Sequence, residues 1–229
     1  MTVVGDFFLC DCRSLATIDL SPLSKATTIG DAFLTDCRGL TNVDLSPLST
    51  IRDVGACFLC GCRSLTAIDL RPLSNVTTIA GAFLGQCCSL WTIYLRPLSN
   101  ITTATGNYFL WDCSGLTTID LRPLSNLTVV SDHFLGCCSS VTTIDLRPLS
   151  NVTAVGDHFL SDCSGLTTVD LSPLSNVTVF GGNFLCGCTG LTSLDLTPLL
   201  VKITFVGPRF LEDCRGSTRD RLLFETLLT

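Results

Sequence analysis

Nine Phe-Leu pairs recur along this chain at an almost constant interval. Phe8, Phe33, Phe58, Phe83, Phe109, Phe134, Phe159, Phe184 and Phe210 are each followed by Leu, in steps of 25 or 26 residues. Four residues after each Phe stands a Cys: Cys12, Cys37, Cys62, Cys87, Cys113, Cys138, Cys163, Cys188 and Cys214. A fixed period of about 20 to 50 residues marks a unit that cannot bury its apolar face alone, so the units must stack. The pattern therefore predicts a β-rich repeat solenoid of eight to nine turns over residues 1–215, with residues 216–229 as a cap or irregular tail.

One unit reads F-L-x-x-C-x-x-L-T-x-I-D-L-x-P-L-S-N-V-T-x-I-G, as from Phe159 to Gly181. Leu166, Val169 and Leu171 alternate with polar residues as in a strand with one buried face. Pro173 lacks an N–H for a ladder and ends that strand. Gly181 reads as a turn residue with positive φ before the next Phe-Leu. Each unit is thus a short strand, a turn, a second extended piece and a tight return. Strand content is expected to exceed helical content several-fold, and the L-x-x-I-D-L runs are expected to form a parallel sheet.

The phased C-x-x-L-x-x-I-x-L-P, V-x-x-I-G and F-x-x-C elements resemble the BspA-like leucine-rich repeat of bacterial and protozoan surface proteins. The regular D-L-S/R-P-L-S-N-V-T wording is also similar to leucine-rich repeat arrays of kinetoplastid protozoa. The resemblance runs over roughly residues 3–215. This unit is longer by a Leu-Ser after the Pro, and Leu124 and its equivalents stand where many leucine-rich repeats carry a buried Asn. The resemblance implies a parallel sheet on a concave face, and adhesion or protein recognition at a cell surface without catalysis.

The chain has 229 residues, of which 46% are hydrophobic, yet the apolar residues are spread in phase. No apolar run approaches the roughly 18 residues of a membrane span. A net charge of −6 disfavours nucleic acid and anionic membranes as partners. Met1 to Gly5 reads as the tail of a repeat, so the sequence reads as a piece of a longer array whose signal or anchor lies elsewhere. A monomer, or end-to-end association through exposed repeat ends, is expected. After Cys214 the L-T-x-I-D-L wording is lost. Ser217 could cap a helix presenting Leu222, Leu223 and Leu227, or the tail could be read-through of a truncated gene.

Stacking at about 4.8 Å turns a recurring position into a column. One outward column is Asp19, Asp44, Asp69, Tyr94, Asp120, Asp145, Asp170 and Asp195. Two residues on, a second reads Ser21, Ser46, Arg71, Arg96, Arg122, Arg147, Ser172 and Thr197. This strip is either a self-neutralising solvated face or a recognition surface for a protein ligand. In the second case the candidate contacts are Arg71, Trp91, Tyr94, Arg96, Arg122, Arg147, Asp120 and Asp145. Trp91 and Tyr94 break the pattern in the same unit. A neighbouring column, Thr17, Thr92, Thr118, Thr143 and Thr168, is interrupted by Asn42, Ala67 and Ser193.

Asn75, Asn100, Asn126, Asn151 and Asn176 each begin N-x-T, an N-glycosylation acceptor, or serve a turn through their side chains. The in-phase thiols read as small buried hydrophobes, because side chains in a column point in parallel and a disulfide needs them aimed at each other. Reduced thiols favour an intracellular setting, whereas the sequons and the resemblance favour the surface. His133 and His158 have no paired acid or nucleophile in phase and read as variable surface positions. There is no G-x-S-x-G, P-loop or G-x-G-x-x-G, so neither an enzyme nor a cofactor or metal site is expected. A surface recognition array leads, with a structural spacer or an intracellular interaction scaffold as alternatives.

Overall fold

The computed structural model describes residues 2–101 and 106–214. Counting units from their Phe, each follows one circuit: return turn, extended run, 3-10 turn, short strand. The strands are β1 (Thr2–Val4), β2 (Ala26–Ile29), β3 (Asp53–Val54), β4 (Thr78–Ile79), β5 (Val129–Val130), β6 (Thr143–Ile144), β7 (Ala154–Val155), β8 (Thr168–Val169), β9 (Val179–Phe180) and β10 (Phe205–Val206). All pair in parallel, β1-β2-β3-β4 in one sheet, β5-β7-β9-β10 in a second and β6-β8 in a third. Their register is that of the repeat, with Asp53 opposite Thr28 and Thr78, and Val179 opposite Ala154 and Phe205. The chain folds as a repeat solenoid.

Where the ladder forms differs from expectation. Eight of the ten strands lie on the V-T-x-I segments, and only β6 and β8 lie on L-x-x-I-D-L. In the other L-x-x-I-D-L runs the cross-unit bonds are long, 3.4 Å from Thr66 N to Thr41 O and 3.5 Å from Trp91 N to Thr66 O. The last Leu of each run already has φ near −90° and ψ near 0°, and a 3-10 turn begins at the next residue. The same turn also follows β6 and β8, where the cross-unit bond from Thr167 N to Thr142 O is 3.0 Å, so it bounds every run and the shorter bond distinguishes the two that pair. The turns, such as Arg71–Leu73 and Ser172–Leu174, carry Pro where a helical N–H would be unbonded anyway. Among the described residues eight such turns hold about as many residues as the ten strands, so the several-fold strand excess is not found. The second 26-residue step is absorbed by one of them, lengthened to Thr197–Val201.

The core is a set of columns. Successive Phe rings from Phe8 to Phe210 stack at 5.0 to 6.0 Å between centroids, within 12° of parallel. Leu40, Leu65, Leu90 and Leu116 form another fully buried column, and Leu124 fills the position where many repeats place Asn.

The return turn is the most constrained part of the unit. Three residues in each have positive φ, as at Ala32 (58°), Leu34 (53°) and Asp36 (55°). Their N–H groups point alternately forward and back, Ala32 N to Ala56 O at 2.7 Å, Leu34 N to Phe8 O at 2.9 Å and Asp36 N to Cys60 O at 2.7 Å. A left-handed Leu costs about 1–2 kcal/mol. Burying its side chain contributes about 1.5–3 kcal/mol, which offsets the strain, and Leu34, Leu59, Leu84 and Leu110 are fully buried.

The I-G glycines have a different role from the one expected. Gly30, Gly55, Gly106, Gly181 and Gly207 do not have positive φ. They allow close backbone approach: a Cβ on Gly55 would sit 2.5 Å from the Gly30 carbonyl carbon. Gly55→Ala should therefore cost about 1–3 kcal/mol. Ala82→Gly, which relieves a φ of 58°, should raise stability by about 1 kcal/mol although Ala→Gly ordinarily lowers it. Urea denaturation of both variants checks the pair.

The cysteine column does more than fill space. Cys37 Sγ donates to Leu9 O (3.1 Å), Cys113 Sγ to Leu84 O (3.1 Å) and Cys188 Sγ to Leu160 O (3.0 Å), and the same bond recurs at Cys62, Cys87, Cys138, Cys163 and Cys214. Each acceptor is the left-handed Leu of the preceding unit. Burial pushes the Cys37 thiol up to about 11 and those of Cys62 and Cys163 up to about 12, so at neutral pH they remain protonated donors. Cys113→Asp should lose about 3 kcal/mol or more by burying an unpaired carboxylate. Cys113→Ser should lose less, and a reducing agent should leave the thermal midpoint of the wild type unchanged.

Candidate functional site

The outward Asp column has a structural job. Each Asp Oδ1 accepts the backbone N–H two residues on, capping the 3-10 turn: Ser21 N at 2.8 Å, Ser46 N at 2.8 Å, Arg71 N at 2.9 Å, Arg122 N at 3.0 Å, Arg147 N at 3.0 Å, Ser172 N at 2.9 Å and Thr197 N at 2.9 Å. These bonds hold the carboxyls below the usual carboxylate range. Asp145, which also takes the Arg147 side chain, is lowered to about 2.

Three of the four arginines fold back on the same carboxylates. Arg71 Nη2 lies 2.6 Å from Asp69 Oδ2, Arg122 Nη2 2.7 Å from Asp120 Oδ2 and Arg147 Nη2 2.7 Å from Asp145 Oδ2. Exposed pairs of this kind add little stability, because solvent screens them, but they occupy the guanidinium forks. Arg71, Arg122, Arg147, Asp120 and Asp145 are therefore mutually engaged. Tyr94 replaces the Asp in the fourth unit, and among the described residues Arg96 has neither the ion pair nor the acceptor for its backbone N–H.

Tyr94 is 74% exposed and Trp91 59% exposed, although both lie in an array whose apolar residues are otherwise mostly buried. Tyr94 stands between two grooves. One, of about 780 Å³, is lined by Asn42, Ala67, Ile68, Asp69, Leu70, Arg71, Ser74, Tyr94, Arg96 and Pro97. The other, of about 500 Å³, is lined by Thr92, Ile93, Tyr94, Arg96, Thr118, Ile119 and Asp120. Asn42 and Ala67 are two of the residues that interrupt the Thr column, and both line the first groove. Among the described residues no ring contact joins Trp91 to Tyr94, so the two share a unit but not a cluster.

Other candidates resolve as follows. Asn75, Asn100, Asn151 and Asn176 donate Nδ2, the atom a glycan would take, to the carbonyls of Ser49, Ser74, Ser125 and Ser150 at 2.9 to 3.2 Å. Asn126 is exposed. No helix among the described residues is long and apolar enough to cross a membrane. The expected helix beginning at Ser217 lies outside the described residues.

His133 and His158, read from the sequence as variable surface positions, belong to a ring stack. Tyr108, His133 and His158 lie face to face at 4.2 Å and 10° per step, with Trp111 edge-on to Tyr108 at 5.6 Å. Asn183 Nδ2 donates to His158 Nε2 at 3.1 Å. The signal was available in the phase itself, since Tyr108, His133, His158 and Asn183 occupy one column just before the Phe. Burial, then the neighbouring His158, lowers the His133 pKa, against smaller opposite pulls from Asp132 and Asp157. A base lowered on folding binds fewer protons folded than unfolded. Its stabilisation is complete above the unfolded value of about 6.5 and declines as pH falls below it. His133→Gln should flatten the decline in thermal midpoint between about pH 7 and pH 5, a window above the one where the capping carboxylates titrate.

The model of the BspA-type leucine-rich repeat region matches the chain in six copies, over residues 1–117 and 98–216. None of the curated proteins matches it. Among solved structures, the leucine-rich repeat protein of T. pallidum is 21% identical, covers 81% of this chain and 80% of its own, and superposes with a TM-score of 0.59. A leucine-rich repeat protein from Bacteroides ovatus is 16% identical over 93% of this chain and 72% of its own, with a TM-score of 0.47. The functional domain of InlJ from Listeria monocytogenes, described as including a cysteine ladder, is 17% identical over 89% of this chain and 52% of its own, at 0.44. At these identities the likeness concerns the fold.

Proposed function

The chain belongs to the BspA-type leucine-rich repeat family, and from that premise we propose that it is a non-enzymatic protein-recognition module of a surface-displayed protein. Its contact surface on this reading is the fourth unit, around Tyr94 and Arg96. One observation carries the choice of face: seven units cap their turn with an outward Asp, and the fourth gives up that cap for an exposed Tyr. A residue that sacrifices local stability and gains no side-chain hydrogen bond or ring contact among the described residues marks a functional position. Exposed Tyr, Trp and Arg are also the residues that dominate binding energy at protein interfaces. The surface display rests on the family's resemblance to surface proteins.

A structural spacer, favoured by the near-identity of the units, makes the opposite prediction. The Tyr94→Ala, Arg96→Ala double variant should keep the wild-type thermal midpoint, because both side chains point outward, and should lose the partners captured by the wild type after cross-linking. Identical capture by wild type and variant would establish the spacer.

A further inference from the structure

Resting on that reading, we propose that the Tyr94–Arg96 site binds a peptide segment presenting a single carboxylate among apolar side chains. The charge pattern selects the ligand. Over the third to sixth units, Asp69, Asp120 and Asp145 are each neutralised by an arginine two residues on. Among the described residues Arg96 remains as the one guanidinium of the four without an acidic partner, so this stretch of the strip carries one unbalanced positive charge. Its fork is preorganised for the two oxygens of a carboxylate, a geometry that lysine cannot match.

The surroundings limit the ligand to one such charge. Beyond the arginine block, Asp19, Asp44, Asp170 and Asp195 face outward with only Ser or Thr two residues on. A polyacidic chain lying along the strip would meet their repulsion. Beside Arg96 the first groove instead offers Ala67, Pro97 and the edge of Ile68, with the Tyr94 ring as its wall and its one acid, Asp69, already held by Arg71. A carboxylate on Arg96 thus brings its apolar neighbours onto this groove. The array's own Asp-Arg pair is the template: the ligand supplies the carboxylate that Tyr94 removed.

That logic supplies the test. Wild-type protein is titrated by NMR, observing the arginine Nε–H signals, with acetyl-Leu-Glu-Leu-amide and with its glutamine analogue. The glutamate peptide should shift the Arg96 signal and bind about tenfold tighter than the glutamine peptide, the scale of one charge-assisted bidentate contact. The preference should shrink in high salt. Tyr94→Asp keeps Arg96 but restores the internal partner. It should raise the thermal midpoint, showing that it folds, and erase the preference. Equal binding of the two peptides by wild type, no binding of either, or a preference that survives in Tyr94→Asp would overturn the carboxylate assignment. If the Tyr94→Ala, Arg96→Ala variant still loses its captured partners in that event, recognition at this face stands and only the ligand class falls. If capture is also unchanged, both readings fall.

Discussion

The stack of nine phenylalanine rings sets the geometry that everything else in the molecule must satisfy. Rings 5.0 to 6.0 Å apart and nearly parallel can be in van der Waals contact only if successive units superpose with almost no rotation between them. That superposition aligns the left-handed return turns, whose N–H groups bond alternately to the units on either side. It also brings each thiol within reach of the preceding unit's Leu carbonyl. A side chain larger than Cys at this position would displace the turn, and one lacking a donor would leave a buried carbonyl with one fewer partner.

The array tolerates substantial local strain because it is repeated. Left-handed Leu is a poor choice in isolation, yet each such residue is held by two neighbouring units and by a buried side chain. The exceptions show where strain is relieved: Gly61 and Gly187 replace the Asp found at the equivalent position of five other units and adopt the same positive φ. Local preference and global packing thus disagree at three positions per unit, and packing wins on magnitude.

Against this uniformity the fourth unit stands out in a physical sense as well as a textual one. Its turn lacks the Asp cap, its arginine lacks the ion pair among the described residues, and its Tyr and Trp are exposed where the other units carry Asp and, apart from Ala16, Thr. None of these changes improves the fold. The ring stack of Tyr108, His133 and His158 contrasts with it, since there the departures from small residues gain contacts with one another. Departures that find partners within the array read as structure. Among the described residues the side chains of Tyr94 and Arg96 find no hydrogen-bonding, ionic or ring partner.

The sequence by itself determined the solenoid, its period, the Phe and Cys columns, the outward Asp and Arg columns and the singular fourth unit. All of these depend only on phase, and phase survives in one dimension. It did not determine how residues interact within a unit. Eight of the ten strands formed on V-T-x-I and only two on L-x-x-I-D-L, where a 3-10 turn closes each run, and turn type depends on backbone angles that the residue pattern left open. The I-G glycines proved to serve close approach between units, a distance visible only once the units are stacked. The strip of four arginines, uniform in the sequence, separated into three engaged forks and one open one. That three guanidiniums close onto their own unit's carboxylate is decided by side-chain geometry in the folded array, whereas the fourth unit offers none because Tyr94 stands in its place.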